Sequence, residues 1–178
     1  MRLFSPKSGD SRPVTDRVKE SLFSVLHKYE LPAGKVVADL FCGVGSLGTE
    51  ALSRQALFVT FVEKDPWIIP ILKRNIEKAG FTENSEVIRA DAFRFGSEID
   101  TEPNKYDLVF VDPPYADTEE VGLDSATGKL LVSLTEKLTE QAIVVVRTRK
   151  NTELLAKYGR LEITERRQCG SMAVTILR

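Results

Sequence analysis

Val36-Val37-Ala38-Asp39-Leu40-Phe41-Cys42-Gly43-Val44-Gly45-Ser46-Leu47-Gly48 runs from an apolar, β-branched segment through an acid into a glycine-rich turn. Val36 to Leu40 reads as a short buried strand, and the glycines allow a tight turn with close backbone approach. A helix is expected from about Leu47 to Arg54, after which Leu57 to Glu63 reads as a second strand ending in an acid. Strand, helix and strand in this span make a βαβ unit with a right-handed crossover, the repeating part of a parallel sheet.

The alternation continues outward in both directions. Upstream, Val18, Leu22, Val25 and Leu26 recur at helical spacing from Thr15 to about Lys28, with Thr15 or Asp16 as N-cap. Residues 1–11 have little pattern and are expected to hold little structure. Downstream, Asp65-Pro66 caps a helix carrying Ile69, Leu72, Ile76 and Ala79 on one face, with Gly80 at its end. Glu86 to Asp91 reads as a third strand ending in an acid, and Gly96 to Lys105 as a loop or frayed helix. Tyr106 to Val111 is a central strand, since Leu108 to Val111 is apolar on both faces. Ala116 to Gly128 is polar and acidic and reads as a mobile flap. Leu130, Leu131, Leu134 and Leu138 form the next helical face, and Ala142 to Arg147 the next strand. Glu153 to Tyr158 reads as a short helix terminated by Gly159. Leu161 to Arg166 and Ala173 to Leu177 alternate as a closing antiparallel pair.

The 178 residues suit one domain with a substantial core, and 42% hydrophobic with 29% charged residues is the composition of a soluble globular chain. No apolar run approaches the ~20 residues that cross a bilayer. The first residues lack a secretory pattern, so a cytoplasmic address is expected. Cys42, Cys169 and His27 form no metal-ligand spacing, so no metal site is expected. His27 adjoins an apolar stripe and reads as a surface or edge residue.

The net charge of −1 conceals a division of charge along the chain. Residues 1–35 carry seven Lys/Arg against four Asp/Glu, and residues 141–178 carry eight against three. Residues 36–140 carry ten against nineteen. Basic ends around an acidic centre suit a polyanion held at the periphery, beside the plainer reading of solvated surface.

Ligands of α/β sheets bind beyond the carboxyl ends of the strands, and four acids lie at those predicted ends: Asp39, Glu63, Asp91 and Asp112. Together they predict an acidic rim. Gly43, Gly45 and Gly48 have dinucleotide-fingerprint spacing, and Glu63 could hold a ribose hydroxyl pair, which fits an adenosine as well as a nicotinamide dinucleotide. Two features favour the former. Asp39 precedes the glycines, where it would repel a pyrophosphate but suit a cationic amino-acid portion. Asp112-Pro113-Pro114-Tyr115 has no part in hydride transfer. Prolines donate no N–H, so the strand must end there and leave carbonyl acceptors beside a carboxylate, a device that suits an amine, beside the plainer reading of a strand-ending turn. Cys42 reads as a small packed thiol, because nothing near it would activate a nucleophile.

The series Asp39 to Gly48, Glu63, Asp91 and Asp112 to Tyr115 resembles that of S-adenosylmethionine-dependent methyltransferases acting on exocyclic amines. Arg12-Pro13-Val14-Thr15-Asp16-Arg17-Val18-Lys19-Glu20-Ser21-Leu22-Phe23 is similar to the opening of the RsmD-like methyltransferases of 16S ribosomal RNA. Arg167 to Ala173 also sits where that family has a Tyr-Gly turn, although Cys169 replaces the aromatic. The usual Gly/Arg-rich lead-in is represented only by Met1 to Ser11.

The resemblance implies a Rossmann-like, doubly wound, mostly parallel seven-stranded α/β sheet with helices on both faces and a C-terminal antiparallel hairpin. It implies one methyltransferase domain over 1–178, with 1–30 contacting RNA, and S-adenosyl-L-methionine as cofactor. Asp39, Phe41, Gly43, Gly45, Gly48, Glu63, Lys64, Asp91 and Ala92 would bind that cofactor. Asp112, Pro113, Pro114 and Tyr115 would be catalytic, while Arg12, Arg17 and Lys19 would hold RNA, with Arg147, Arg149 and Lys150 as weaker phosphate contacts. The implied reaction is methylation of a guanine N2 amine in 16S ribosomal RNA, free or in a small-subunit assembly intermediate, by a monomer. Competing readings are N6-adenine methylation of DNA or RNA, methylation of a protein glutamine amide, and a non-catalytic RNA-binding assembly factor that retains the cofactor pocket.

Overall fold

The computed structural model describes residues 3–5, 15–97 and 105–178. Arg12 and most of the predicted 96–105 loop lie outside the described residues.

The apolar runs become strands, and the segments between them pack on the faces the strands leave uncovered. In chain order the elements are α1 (Asp16–His27), β1 (Val36–Leu40), α2 (Ser46–Ser53), β2 (Phe58–Glu63), α3 (Ile69–Ala79), β3 (Ser85–Arg89), β4 (Tyr106–Val111), α4 (Ala126–Leu134), β5 (Leu138–Arg149), β6 (Lys157–Tyr158), β7 (Leu161–Cys169) and β8 (Met172–Leu177). They form one sheet in the order β3-β2-β1-β4-β5-β8-β7-β6. The first five strands in that order are parallel and the last three run antiparallel to their neighbours. Strand alternation divides the core. Leu108 and Phe110 of β4 join Phe23 and Leu26 of α1, Ala51 of α2 and Leu72 of α3 on one face. Val109 and Val111 join Leu130, Leu131 and Leu134 of α4 on the other.

Several expectations are corrected. The sheet has eight strands, not seven, and the extra one, β6, occupies part of the expected Glu153–Tyr158 helix. The buried Tyr158 explains this: its hydroxyl donates to the Val121 carbonyl at 2.5 Å and accepts from the Leu155 N–H at 3.0 Å. Gly159, at φ +57°, turns the chain so that Tyr158 faces Leu161 across a hairpin instead of ending a helix. Leu138 opens β5 and is not on α4, whose start is Ala126 behind the Ser125 cap.

The polar 116–128 segment is tied down and is no free flap. Thr127 Oγ1 donates to the Asp117 carbonyl at 2.7 Å, and Thr152 Oγ1 to that of Thr118 at 3.3 Å. A Cβ added at Gly128 would meet the Gly122 carbonyl oxygen at 2.0 Å, so the segment lies directly on the first turn of α4.

Ordered chain also appears where little was expected. The Phe4 N–H donates to Asn75 Oδ1 at 2.7 Å, and Asn75 Nδ2 returns a bond to the Phe4 carbonyl at 3.1 Å. The Phe4 ring lies under the Arg74 guanidinium at 4.1 Å and the Lys78 ammonium at 4.5 Å. Among the described residues, no helix is long and apolar enough to cross a membrane.

Candidate active site

The registers bring the expected site residues to one edge. Leu40 pairs with Val62 and with Val111, so β1, β2 and β4 end together. Asp112 continues that edge, its N–H reaching the Leu40 carbonyl at 3.4 Å.

The four acids differ in what surrounds them. Asp39 is no part of an open rim. It lies within β1 at 1% exposure, and its Oδ2 accepts from the Gly48 N–H at 2.7 Å. Burial pushes its carboxyl up to about 7, with the Gly48 bond pulling down and the nearby Asp112 pushing up. Glu63 spans two turns: Oε2 accepts from the Gly43 N–H at 2.9 Å and Oε1 from the Asp65 N–H at 2.8 Å. Asp91 is exposed just beyond β3, its Oδ1 accepting from the Phe93 N–H at 3.1 Å. Asp112 is the mostly buried acid at the end of β4.

Between β1 and α2 the backbone enters the left-handed region three times, at Phe41 (φ +60°), Gly43 (φ +54°) and Gly45 (φ +84°). Gly43 and Gly48 serve different ends. A Cβ on Gly48 would strike the Phe61 ring at 2.3 Å, so that glycine is required for helix–sheet packing. A Cβ on Gly43 would meet nothing within 4 Å, so that glycine leaves open space beside its Cα. Phe41 meets Phe93 edge-on with centroids 4.8 Å apart, which builds an aromatic wall between the glycine turn and Asp91. Ala92 is buried beneath it and Lys64 is exposed.

Asp112 carries the feature that sequence reasoning missed. Arg147 of β5 donates from Nε to Asp112 Oδ1 at 2.5 Å, so it is engaged at the site and is not a loose phosphate contact. The signal was available only through register: Val111 faces Val146, which places Arg147 beside Asp112. Burial raises the Asp112 carboxyl to about 6 against the pull of Arg147. Pro113 is buried and Pro114 exposed, and the Pro114 carbonyl is taken by the Asp117 N–H at 2.9 Å. The Pro113 carbonyl meets no donor among the described residues. Tyr115 is half-buried with the Arg149 guanidinium 5.1 Å above its ring.

A narrow crevice with room for little more than a water adjoins the Asp112–Arg147 pair, walled by Val18 and Leu22 of α1 and Leu47 of α2. On α1, Arg17 is exposed, while Lys19 lies against Asp16 at 2.9 Å and Glu50 at 3.9 Å. Two more features went unread in the sequence. Asn75, fully buried, ties Phe4 to the glycine turn through a bond from Nδ2 to the Val44 carbonyl at 3.1 Å. Trp67, between β2 and α3, stands 83% exposed. Cys42 is buried and its thiol is pushed well up by burial, as fits a packed side chain. His27 is exposed at the end of α1.

A carboxylate and a carbonyl without a donor among the described residues, at the end of β4 and on the sheet edge that also carries the glycine turn, can accept hydrogen bonds from an amine. Known proteins resemble the chain in sequence and in fold. The family model described as "Conserved hypothetical protein 95" matches residues 1–178. The "Putative rRNA methyltransferase YlbH" of Bacillus subtilis is 32% identical over 166 residues, which are 93% of this chain and 86% of that protein. The "Ribosomal RNA small subunit methyltransferase D" of Haemophilus influenzae is 43% identical over 105 residues, 58% of this chain and 53% of that one. A solved structure of a conserved hypothetical protein from Streptococcus pyogenes superposes with a TM-score of 0.77 at 30% identity, covering 90% of this chain and 94% of its own. The chain belongs to this family, the RsmD-like methyltransferases.

Proposed function

We propose that this protein methylates the exocyclic N2 amine of a guanine in 16S ribosomal RNA, using S-adenosyl-L-methionine. The observation that carries the reading is the end of β4, where Asp112 and the Pro113 carbonyl stand as acceptors at the edge that also holds the glycine turn. The family's RNA-modifying members give the reading its substrate class.

The residues present fit the cofactor. Gly43 leaves open space beside its Cα, and Glu63, pinned by the Gly43 and Asp65 N–H groups, keeps lone pairs for a ribose diol. Asp91, beside the Phe41–Phe93 wall, is an acceptor for an adenine amino group, with Ala92 and Lys64 flanking it. Asp39 acts through the turn, holding the Gly48 N–H that opens α2. When bound, the cofactor supplies an electrophilic methyl group on a sulfonium.

A base amine is a poor nucleophile because its lone pair is drawn into the ring. Asp112 and the Pro113 carbonyl, accepting both amine protons, would turn that lone pair toward the methyl carbon and favour positive charge developing on nitrogen. Once the amine had taken up the methyl group that the cofactor supplies, its surplus proton would pass to Asp112 or to water. Tyr115 would stack on the base, and Arg17, with Lys19 and Arg12, would hold phosphate. Base flipping costs about a few kcal/mol, which favours an unpaired target.

The test is incubation of the purified chain with the labelled cofactor and 16S ribosomal RNA, free or in small-subunit particles, followed by mass spectrometry of the nucleosides. N2-methylguanosine is the expected product. N6-methyladenosine would overturn the choice of amine, and cofactor binding without transfer in either substrate would favour a non-catalytic assembly factor.

A further inference from the structure

Asp112 ends β4 on the sheet face that α1 covers, and its neighbour across the strand pair is a cation. The register that joins Val111 to Val146 brings Arg147 Nε onto Asp112 Oδ1. The two side chains are only 16% and 14% exposed. Two facts argue against a device for stability alone. An ion pair taken out of water is at best neutral against an apolar pair of similar volume. This one also leaves Arg147 Nη1 buried with no acceptor among the described residues, which costs more than a satisfied guanidinium would. Asp112 Oδ2, in contrast, meets no donor among the described residues and belongs to the side chain that borders the crevice.

We propose that Arg147 is a positioning residue for methyl transfer: by gripping Asp112 at Oδ1 it fixes the side chain and keeps it a carboxylate, leaving Oδ2 and the Pro113 carbonyl as the two acceptors for the amine. This rests on the amine-methylation reading above.

The groups that face Asp112 are few. From β1 comes the acid Asp39, whose own carboxyl is raised in part by Asp112, and from β5 Arg147 favours the ionisation of Asp112. α1, α2 and β8 present apolar Val18, Leu22, Leu47 and Val174. Burial already lifts the Asp112 carboxyl to about 6, and Arg147 is the influence that holds it there. Without the guanidinium the carboxyl would hold its proton to higher pH. It would then offer a donor where the amine needs an acceptor.

The test uses the full chain with Arg147→Met and Arg147→Lys, assayed for methyl transfer to 16S ribosomal RNA at saturating S-adenosylmethionine across pH. In the wild type, kcat is expected to fall on the acid side. In Arg147→Met that acid limb should move up by about one pH unit or more. Activity near neutrality should drop about tenfold to a hundredfold and recover in alkali, and Arg147→Lys should restore the limb. Binding of S-adenosylhomocysteine by calorimetry should be unchanged, since Arg147 touches the acid and not the cofactor turn. Carbon-13 NMR of the aspartate carboxyls, with Asp112→Asn to assign the signal, reads the same titration without turnover. An Asp112 titration unmoved in Arg147→Met, or a lowered kcat and Tm with the acid limb in place, overturns the proposal. If Arg147→Met does not fold, Arg147→Gln, which also removes the charge, is titrated in its place and decides by the same criterion. If the wild type transfers no methyl group, the methylation reading falls, and the NMR titration still judges whether Arg147 governs Asp112.

Discussion

Asp39 and Asp112 sit on adjacent strands, and their different partners make them respond differently to pH. Against full burial Asp39 has the Gly48 N–H and a weaker pull from Arg147, so its folded carboxyl lies near 7, well above the usual aspartate range. The folded chain therefore binds this proton more tightly than the unfolded one does. Its contribution to stability is present below about pH 4 and is lost as pH rises toward 7. Asp39→Asn keeps an acceptor for Gly48 and removes the charge. It should stabilise the ligand-free protein at pH 8 by about 1–3 kcal/mol and by much less at pH 5. Urea denaturation at the two pH values tests this, and a variant whose stability runs parallel to the wild type would show that Asp39 does not titrate there. Asp112 has a guanidinium for company, so its replacement should act on turnover. Asp112→Asn is expected to lower kcat by about 10²–10³-fold while leaving the affinity for S-adenosylhomocysteine within a few-fold of wild type. Loss of cofactor binding instead would assign Asp112 to the wrong ligand.

At the scale of elements, the glycine turn contains two kinds of glycine that the sequence writes alike. Gly48→Ala would drive a methyl into Phe61 and Val59, at 2.3 and 2.9 Å, and should cost about 1–3 kcal/mol of stability as an overpacked core does. Gly43→Ala meets open space and suffers only a positive φ, a cost of about 1–2 kcal/mol. Its larger effect should fall on cofactor affinity, because the added methyl fills the open space beside the Gly43 Cα. Thermal melts with and without S-adenosylhomocysteine separate the two, and equal loss of ligand-induced stabilisation in both variants would refute the distinction. The strands were legible because β1, β2, β4 and β5 are buried on both faces, which leaves an unbroken apolar record in the chain. β6 was not, since two residues carry no period and Tyr158 is held by distant Val121. Arg147 could not be read as the partner of Asp112 because the bond spans 35 positions and depends on which strands are neighbours. Asn75, one polar residue in an apolar helix face, gave no local sign that it bonds both Phe4 and Val44.

At the scale of the molecule, folding brings α1 of the basic N-terminal segment beside the basic C-terminal strands. Val18 and Ser21 of α1 share a narrow crevice with Glu165, Arg167 and Cys169 of β7. The helix that carries Arg17 and Lys19 thus lies beside these strands, and that side adjoins Asp112 through Val18 and Leu22. Within it the cations are not equal. Lys19 is held by Asp16 and Glu50, Arg166 bonds the Lys150 and Thr152 carbonyls, and Arg167 is paired with Glu165. Arg17 is exposed, and is the cation on α1 best placed to meet a phosphate. RNA affinity should therefore fall with salt as counterions are released, and Arg17→Ala should weaken it by about three- to tenfold and reduce the log–log salt slope by about one. Because the contact is with backbone phosphate, kcat at saturating RNA should stay close to wild type. Fluorescence anisotropy with a 16S ribosomal RNA fragment between 50 and 200 mM KCl, roughly the range over which phosphate contacts weaken most visibly, measures both quantities. A slope unchanged in Arg17→Ala would mean that the phosphates are gripped elsewhere on the basic side, whereas a reduced slope with intact kcat would place the RNA along α1, beside the edge that holds Asp112.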